Sequence, residues 1–423
     1  MIQPAVRYIL KIFSQYYQIR DSNLTTTVAT RIEADPLKYL SKEIIDFIKD
    51  PTEGKKRRLP SDARFKTKSG EPDYLGTALY HLNSLQEYYY APDKSDKYGR
   101  FPYTESWQFR NAQSQENYVG TYFQQFARSV PELSQLKLPR SASRIFVSHD
   151  IDYIHGGLPQ IGKALLKRLD FPEMLKVLVS FALHGPPWMD FDRIMKIDDV
   201  YDVKATFFWL VNKGRGNSPL NDAEIKNADY DINDPRLTRW FKKIKNRGFE
   251  HGLHKSASNI PLKEELGKLP MSVVANRNHY LLIRIPEHYD QIEQAGLKID
   301  CSLGFPTEMG FRNGFSLPFT PYNFQENRPY GFVEVPLNIM DTTFRFHLGI
   351  QPSEAKKQII NFLDKHKTNA VISLVWHNIS FSEINYPDWL ELYKYILAYC
   401  RDSGIRSVQQ KELLDFYYFC APD

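Results

Sequence analysis

Cysteine is scarce in this chain of 423 residues, which contains only Cys301, Cys400 and Cys420. The three are widely spaced and form neither an even set nor a metal-binding pattern. A disulfide framework and a cysteine-based zinc site are therefore not expected, and the count favours a reducing compartment. Internal repeats and low-complexity segments are also lacking, which argues against a repeat protein.

Long hydrophobic runs are missing as well. Residues 1–18 contain Arg7 and Lys11 and have no apolar core before a small-residue cleavage site, so they predict an amphipathic helix and not a secretion signal. The apolar stretch 174–183 is too short to span a bilayer and predicts a helix in the core or on the surface. We therefore expect a cytoplasmic protein without a transmembrane segment, with association to a membrane surface as the alternative.

Strong charge of one sign is absent too, because the net charge is only +5. The basic run at residues 55–58 precedes a Leu-Pro pair and is typical of a solvated loop, so nucleic acid is not an expected partner. A hydrophobic content of 42% with 14% aromatic residues is typical of a globular chain, long enough here for two or three domains.

A change of pattern near Pro139 divides the chain. Residues 1–140 contain helical spacings and a polar loop but no convergent site, and residues 134–143 have the small polar composition of a linker. The predicted organisation is a smaller α+β domain at residues 1–140 and a second domain at 141–423. From Arg144 onward, apolar strands alternate with helices, which predicts a parallel sheet of seven or eight strands and most simply a β/α barrel.

Ionisable side chains follow several of these strands. Asp150 and Asp152 end the apolar run 145–147 and lie two residues apart, so they share one side of an extended backbone. In barrels the loops at the carboxyl ends of the strands carry the chemistry. The candidate residues at strand ends are Asp150, Asp152, His254, Arg277, His279, Asp300 and His377.

These residue types are the components of a metal-assisted hydrolase. Carboxylate and imidazole groups hold a divalent ion, which lowers the pKa of bound water from 15.7 to about 7. A second carboxylate then takes the proton of the water, and an imidazolium protonates the leaving nitrogen.

The order of these motifs resembles that of the polysaccharide deacetylases, the NodB-like members of carbohydrate esterase family four. The resemblance covers about residues 144–410 and is strongest at Ser-His-Asp-Ile-Asp (148–152), Gly-Leu-His-Lys-Ser (252–256) and Trp-His-Asn (376–378). It implies a distorted parallel β/α barrel. Residues 1–140, through residues 82–88 and 96–101, resemble the N-terminal domain that accompanies such barrels in some bacterial proteins, with no chemistry assigned.

The resemblance implies that Asp150 is the catalytic base, and that Asp152 and His254 bind a divalent metal. The usual second motif is His-x-x-x-His, but Ser258 stands at its last position. Serine is a poor zinc ligand, so His279 is the expected replacement and His251 the alternative. Zinc is the expected ion, because a mixed nitrogen and oxygen set suits it.

The remaining motifs imply that Arg277 orients the base, that Asp300 is part of the catalytic set and that His377 is the acid. Asp300 or Asp341 would be the partner of His377. Arg312, between two glycines, is expected to contact substrate, with an ion pair that packs its loop as the alternative. Trp376 is the second residue expected at the substrate.

The sequence therefore predicts a metal-dependent hydrolase that removes an N-acetyl or other acyl group from an amino sugar of a bacterial polysaccharide or glycan precursor. The alternatives are a metal-free carbohydrate-binding relative and a hydrolase of another non-peptide carbon–nitrogen bond. The expected partner is a carbohydrate substrate. Nothing in the sequence indicates an oligomeric state.

Overall fold

The computed structural model describes residues 2–19, 22–52, 65–88, 90–155 and 187–420, and six further positions from 162 to 179. The basic run at 55–58 lies outside the described residues. Of the apolar stretch 174–183, only Leu175 and Val179 are described, and both are helical and exposed. Among the described residues, no helix is both long enough and apolar enough to cross a membrane.

The described part of the N-terminal segment is built from helices. This differs from the predicted α+β composition, since its β-structure consists of one isolated bridge between Lys66 and Pro72. The α-helices are α1 (Gln3–Tyr17), α2 (Ser22–Ala34), α3 (Pro36–Tyr39), α4 (Lys42–Lys49), α5 (Tyr74–Leu82), α6 (Trp107–Arg110) and α7 (Tyr118–Ser129).

Local sequence signals explain several of these helices. Helix α1 begins with a proline in its first turn, where the missing amide hydrogen costs no helical bond, and it buries most of its length as its apolar spacing predicts. Helix α4 starts at Ser41, whose side chain accepts from the Ile44 amide. Such a cap satisfies an amide that the helix itself leaves unpaired.

The second segment contains thirteen described strands. They are β1 (Arg144–Ile151), β2 (Thr206–Leu210), β3 (Arg215–Asn217), β4 (Glu224–Lys226), β5 (Glu250–Lys255), β6 (Ala275–Asn278), β7 (Ile299–Asp300), β8 (Tyr322–Asn323), β9 (Arg328–Pro329), β10 (Val333–Glu334), β11 (Leu337–Met340), β12 (Val371–Val375) and β13 (Arg406–Ser407).

The main sheet is parallel throughout and confirms the predicted barrel. Its strands follow the order β10-β7-β6-β5-β2-β1-β12-β11, and β13 pairs with the start of β1. The eight-stranded path begins at β10 and ends at β11, so the sheet is not hydrogen-bonded between these two strands. β3 with β4 and β8 with β9 form two antiparallel hairpins outside it. The distortion of the barrel is therefore an opening between β10 and β11.

Helices cover the outer face of the sheet. Helix α9 illustrates the sequence signals: the Asp234 side chain caps it, Pro235 is its first residue, and Gly248 beyond its end has a φ of 80°. The helices of this segment are α8 (Phe191–Val200), α9 (Pro235–Asn246), α10 (Leu262–Lys268), α11 (Glu287–Gln294), α12 (Pro352–Lys365), α13 (Trp389–Asp402) and α14 (Gln410–Cys420).

The hydrophobic core crosses the predicted boundary near residue 140. One contiguous cluster of buried side chains contains members of α1, α5 and α7 together with members of β1, β2 and α12. Glu87 and Arg312 form a buried two-point ion pair across the two segments, with contacts of 3.0 and 2.5 Å. The division at residues 140 and 141 stays a prediction, but these contacts favour one shared core over two independent ones.

Candidate active site

The first two site residues lie at the carboxyl end of β1. This strand occupies the middle of the sheet, between β2 and β12, and its apolar residues are buried on both faces. Asp150 and Asp152 both point toward β5, where their carboxylates lie 3.7 and 3.4 Å from His254 Nε2. His149 points the other way and pairs with Asp198 at 3.1 Å. Successive side chains along an extended backbone point to opposite sides, so Asp150 and Asp152 share one side and His149 faces the other, as their spacing predicts.

Two histidines face each other beside Asp152. His254 Nδ1 donates to the Arg277 carbonyl at 2.8 Å, and His279 Nε2 donates to the Lys226 carbonyl at 2.9 Å. A neutral imidazole carries one N–H proton, and in each ring this bond uses it. His254 Nε2 and His279 Nδ1 therefore carry lone pairs when the rings are neutral. These two nitrogens are 3.1 Å apart. Two lone pairs at this distance repel each other unless a cation, either a proton or a metal ion, lies between them.

The geometry of the three side chains fits a metal ion. Asp152 Oδ1 lies 3.4 Å from His254 Nε2 and 3.6 Å from His279 Nδ1. A tetrahedral ion with bonds near 2.0–2.1 Å holds its ligands about 3.3 Å apart. Asp152 Oδ1 is buried and has no hydrogen-bond partner among the described residues, so it is an acceptor without a donor. Asp152, His254 and His279 form a group that can hold a metal.

The alternative third ligand, His251, lies outside this group. Its Nε2 bonds to the Phe241 carbonyl at 3.0 Å, and its Nδ1 accepts from Trp209 at 3.1 Å. Ser258 is also turned away: its hydroxyl donates to Glu265 at 2.7 Å and accepts from Lys255 at 3.1 Å. The geometry therefore favours His279, from the strand next to β5, over both.

An unusual turn places His279. It is the first residue after β6, and the next two residues, Tyr280 and Leu281, have positive φ values of 56° and 52°. Non-glycine residues rarely adopt this conformation, and it occurs preferentially where a site constrains the backbone. The sequence contains no glycine here that would have indicated the turn.

The electrostatics of this group favour a cation. Burial alone would raise the pKa of Asp152, but His279, His254 and His377 outweigh it and lower the pKa. Burial alone would lower the pKa of His254, but the negative charges of Asp150 and Asp152 outweigh burial and raise it. His279 stays neutral, because burial lowers its pKa to about 4. A neutral imidazole is the form that binds a metal.

Arg277 holds Asp150. Its Nη1 donates to Asp150 Oδ1 at 2.6 Å, and its Nε donates to the Cys301 carbonyl at 3.2 Å. Burial would raise the pKa of Asp150, but the Arg277 guanidinium outweighs burial, with help from His254 and His377, and lowers it. Asp150 is therefore a buried carboxylate that stays ionised, with Oδ2 directed at the metal-ligand group.

Asp341, at the end of β11, is the partner of His377. Its Oδ1 accepts from His377 Nδ1 at 2.6 Å, and its Oδ2 accepts from the His377 amide at 3.2 Å and from the Ser380 hydroxyl. Burial would lower the pKa of His377, but Asp341 outweighs it and the pKa rises to about 9. The opposite nitrogen, Nε2, lies 3.8 Å from Asp152 Oδ2.

Asp300, the other candidate partner, is placed elsewhere. It is fully buried at the end of β7, where it accepts from His288 at 2.7 Å, from Asn276 at 2.8 Å and from Ser302 at 2.8 Å. It contacts neither Asp150 nor His377 in the described structure and does not line the cavity at the metal-ligand group. The expected catalytic role of Asp300 is thus replaced by a structural one in this network.

The two residues expected at the substrate are also buried. Arg312 is 1% exposed, pairs with Glu87 and donates to the Gly304 carbonyl at 2.8 Å. Of the two interpretations, the ion pair that packs the loop is therefore the correct one. Trp376 is fully buried against Trp389 and Tyr393, since its side chain points from β12 to the helix layer. Both residues are used in packing: Trp376 faces the helix layer, and Arg312 joins the loop between β7 and β8 to the N-terminal segment.

Sequence reasoning missed two groups that shape the site. Asp229 accepts from the amides of Ile154 and His155 at 2.7 and 2.8 Å and so fixes the chain after Asp152. The loop 96–100 of the N-terminal segment reaches the site as well. The sequence motifs assign no chemistry to either, because neither follows a strand of the parallel sheet.

A cavity of about 730 Å³ lies over the metal-ligand group, within the usual range for small-molecule sites. Asp150, Asp152, His254, His279 and His377 line it together. Many of the other lining side chains are aromatic, namely Tyr98, Tyr153, Trp188, Tyr280, Phe346 and Tyr386.

No family model matches the sequence, and neither does any curated protein. Among solved structures, a peptidoglycan N-acetylglucosamine deacetylase is similar with a TM-score of 0.32 and 13% identity, over 65% of this chain and 89% of that one. A polysaccharide deacetylase from Bacillus cereus gives a TM-score of 0.31 and 11% identity, over 64% and 93%. A CE4 family pseudoenzyme from Bacillus anthracis gives 0.27 and 12%, over 67% and 72%.

The second of these structures is named as a polysaccharide deacetylase and the third as a CE4 family member. Because their TM-scores are near 0.3, the barrel described above rests on its own strand order and registers.

Proposed function

We propose that this protein is a metal-dependent hydrolase that removes an N-acyl group, in the simplest case acetyl, from an amino sugar. One observation carries the proposal: an ionised carboxylate and a protonated imidazole each approach a different ligand of a metal-binding group. Asp150 lies 3.7 Å from His254, and His377 lies 3.8 Å from Asp152. A base and an acid on the same centre are the requirement for hydrolysis of an amide.

Asp152, His254 and His279 would hold the metal, whose chemistry is to lower the pKa of a bound water and to polarise a carbonyl. The protein's own groups account for the proton movements. Asp150 accepts a proton as the water oxygen bonds to the acyl carbon. His377 donates a proton from Nε2 to the nitrogen as the carbon–nitrogen bond breaks. The products are a carboxylic acid and a free amine, and the proton that Asp150 gained balances the one that His377 lost.

The hydrogen bonds around the two residues support this division of roles. Arg277 holds Asp150 in the ionised form in which it can accept a proton. Asp341 fixes the proton on His377 Nδ1, so the second proton is on Nε2, toward the cavity. A pKa of about 9 keeps that proton in place at neutral pH.

The cavity lining supports a carbohydrate substrate. Aromatic rings pack against the apolar faces of sugars, and Tyr and Trp combine such a face with a polar atom. Trp188 lines the cavity, and its buried indole nitrogen has no hydrogen-bond partner among the described residues.

The test is release of acetate and of a free amine from N-acetylated amino sugars by purified protein supplied with zinc. We expect turnover by the wild-type protein and loss of both products in Asp150→Asn with metal still bound. Metal binding without acetate from any sugar, but with ammonia from ureide-type substrates, would favour the other carbon–nitrogen hydrolase. Sugar binding without metal would favour the binding protein.

A further inference from the structure

The cavity over the metal-ligand group has a wall from the N-terminal segment. Asp96, Lys97, Tyr98 and Arg100 line it together with the residues of the barrel. These four belong to one polar loop, which we call the 96–100 loop. A site made by the barrel alone would lack this wall.

Several hydrogen bonds hold the 96–100 loop against the barrel. Ser218 donates to the Tyr98 carbonyl at 2.7 Å, and Asn221 donates to the Lys97 carbonyl at 3.0 Å. Arg100 is 4% exposed and donates to the Tyr280 carbonyl at 2.6 Å and to Asp96 at 2.7 Å. The loop is thus fixed on the β3–β4 hairpin and on the turn that positions His279.

The loop lines the cavity together with residues from both sides of the open sheet. The sheet ends at β10 on one side and at β11 on the other. Strands β7 and β6 follow β10, and β12 is next to β11. Tyr280 follows β6, and the ring of Tyr98 packs on it with centroids 5.2 Å apart. His347 follows β11 and lines the same cavity as Arg100. At the mouth, the 96–100 loop therefore packs on the turn after β6, and it lines one cavity together with His347, which follows β11.

More of the N-terminal segment supports this arrangement. It packs on the chain between β7 and β10, through the Glu87–Arg312 pair and through a bond from the Phe311 amide to the Ser114 carbonyl. Gly310 approaches Ser114 so closely that a Cβ at Gly310 would lie 2.1 Å from the Ser114 carbonyl oxygen. The wall is a built part of the structure with a fixed position.

We propose that the 96–100 loop turns the site into a pocket closed on one side, so that the amino sugar acted on is a free sugar or the terminal unit of a glycan. An internal unit of a polymer carries neighbours on both sides and needs a groove with two open ends. The loop occupies one of these ends. This inference rests on the proposed function, of which it specifies the substrate class.

The experiment uses the full chain with zinc and offers N-acetylglucosamine and N-acetylgalactosamine as free sugars and as linear hexamers. Mass spectrometry of the products locates each free amine along the hexamer. We expect wild-type protein to release acetate from the free sugar and from one terminal unit, at least about 10-fold faster than from internal units. Tyr98→Ala should lower the ratio of the terminal rate to the internal rate. The control is Tyr395→Ala, which replaces an exposed tyrosine on α13 and should leave the ratio unchanged.

Each outcome has a defined meaning. Equal deacetylation of internal and terminal units by wild-type protein overturns the closed pocket while it supports the proposed function. No acetate from any sugar overturns both. If Tyr98→Ala does not fold, as a thermal melt would show, the positions deacetylated by wild-type protein still decide the question.

Discussion

His254 Nε2 and His279 Nδ1 lie 3.1 Å apart, and the opposite nitrogen of each ring donates to a backbone carbonyl. The two carbonyls fix both rings and leave two lone pairs directed at the same point, next to the unpartnered Oδ1 of Asp152. Hydrogen bonds of this kind orient metal-ligating histidines and determine which nitrogen binds. The pair is therefore preorganised for a cation.

Metal binding is the first prediction. Wild-type protein should bind one divalent ion, with zinc preferred, and His279→Ala should weaken binding by at least about 100-fold because it removes a ligand and not only its support. His251→Ala is the matched control, since His251 faces Trp209 and the Phe241 carbonyl. Elemental analysis and competition with a chelator measure both. Equal loss in the two variants would contradict the assignment of His279.

The second prediction concerns the base. Asp150→Asn should lower kcat by roughly 10² to 10⁴-fold, because the amide cannot accept the proton of the water. The metal content should remain that of the wild-type protein, in contrast to Asp152→Ala. Near-normal turnover by Asp150→Asn would show that the roles of the two aspartates are wrongly divided.

The third prediction is a pH dependence. The acid form of His377 is required and its pKa is about 9, so kcat should fall as the pH rises through about 9. In Asp341→Asn the main group that raises this pKa is lost and burial lowers it, so the fall should move to lower pH. Asp402→Asn, an exposed aspartate at the end of α13, is the control. An unshifted profile in Asp341→Asn would exclude His377 as the group observed.

A stability prediction comes from His81. It is fully buried, neither ring nitrogen has a partner among the described residues, and burial lowers its pKa to about 3. Below pH 6.5 the unfolded chain takes up a proton on His81 that the folded chain does not. The free energy of unfolding therefore decreases as the pH is lowered, by ~2 kcal/mol at pH 5. In urea unfolding, the loss of unfolding free energy from pH 7 to pH 5 should be ~2 kcal/mol smaller in His81→Phe than in the wild-type protein. An equal decrease in unfolding free energy from pH 7 to pH 5 in the wild-type protein and in His81→Phe would contradict this role of His81.

The last prediction concerns the ion pair between the segments. Arg312→Met leaves Glu87 buried without a partner and should cost about 3–5 kcal/mol of unfolding free energy. Arg7→Met, which removes an exposed pair with Glu33, should change stability little. Residues 141–423 expressed alone should aggregate, since the shared core would be exposed. A monomeric, folded fragment would restore the predicted boundary at residue 140.

Much of the site could be predicted because its residues follow apolar strands. Asp150, Asp152, His254, Arg277 and His377 come directly at strand ends, and the parallel order brings those ends to one edge. Asp300 and Trp376 also lie at strand ends but point into other surroundings. Side-chain direction there depends on the pairing and twist of the strands, which no local pattern contains.

By itself, the sequence determined the alternation of strands and helices, the parallel sheet and the set of residues near its carboxyl edge, because these depend on local periodicity. Only the tertiary structure decided that Asp341 pairs with His377, that Arg312 pairs with Glu87 and that the 96–100 loop lines the cavity. Each of these contacts joins segments distant in the chain. Their partners are selected by packing and by the burial of charge, which act only after the chain has folded.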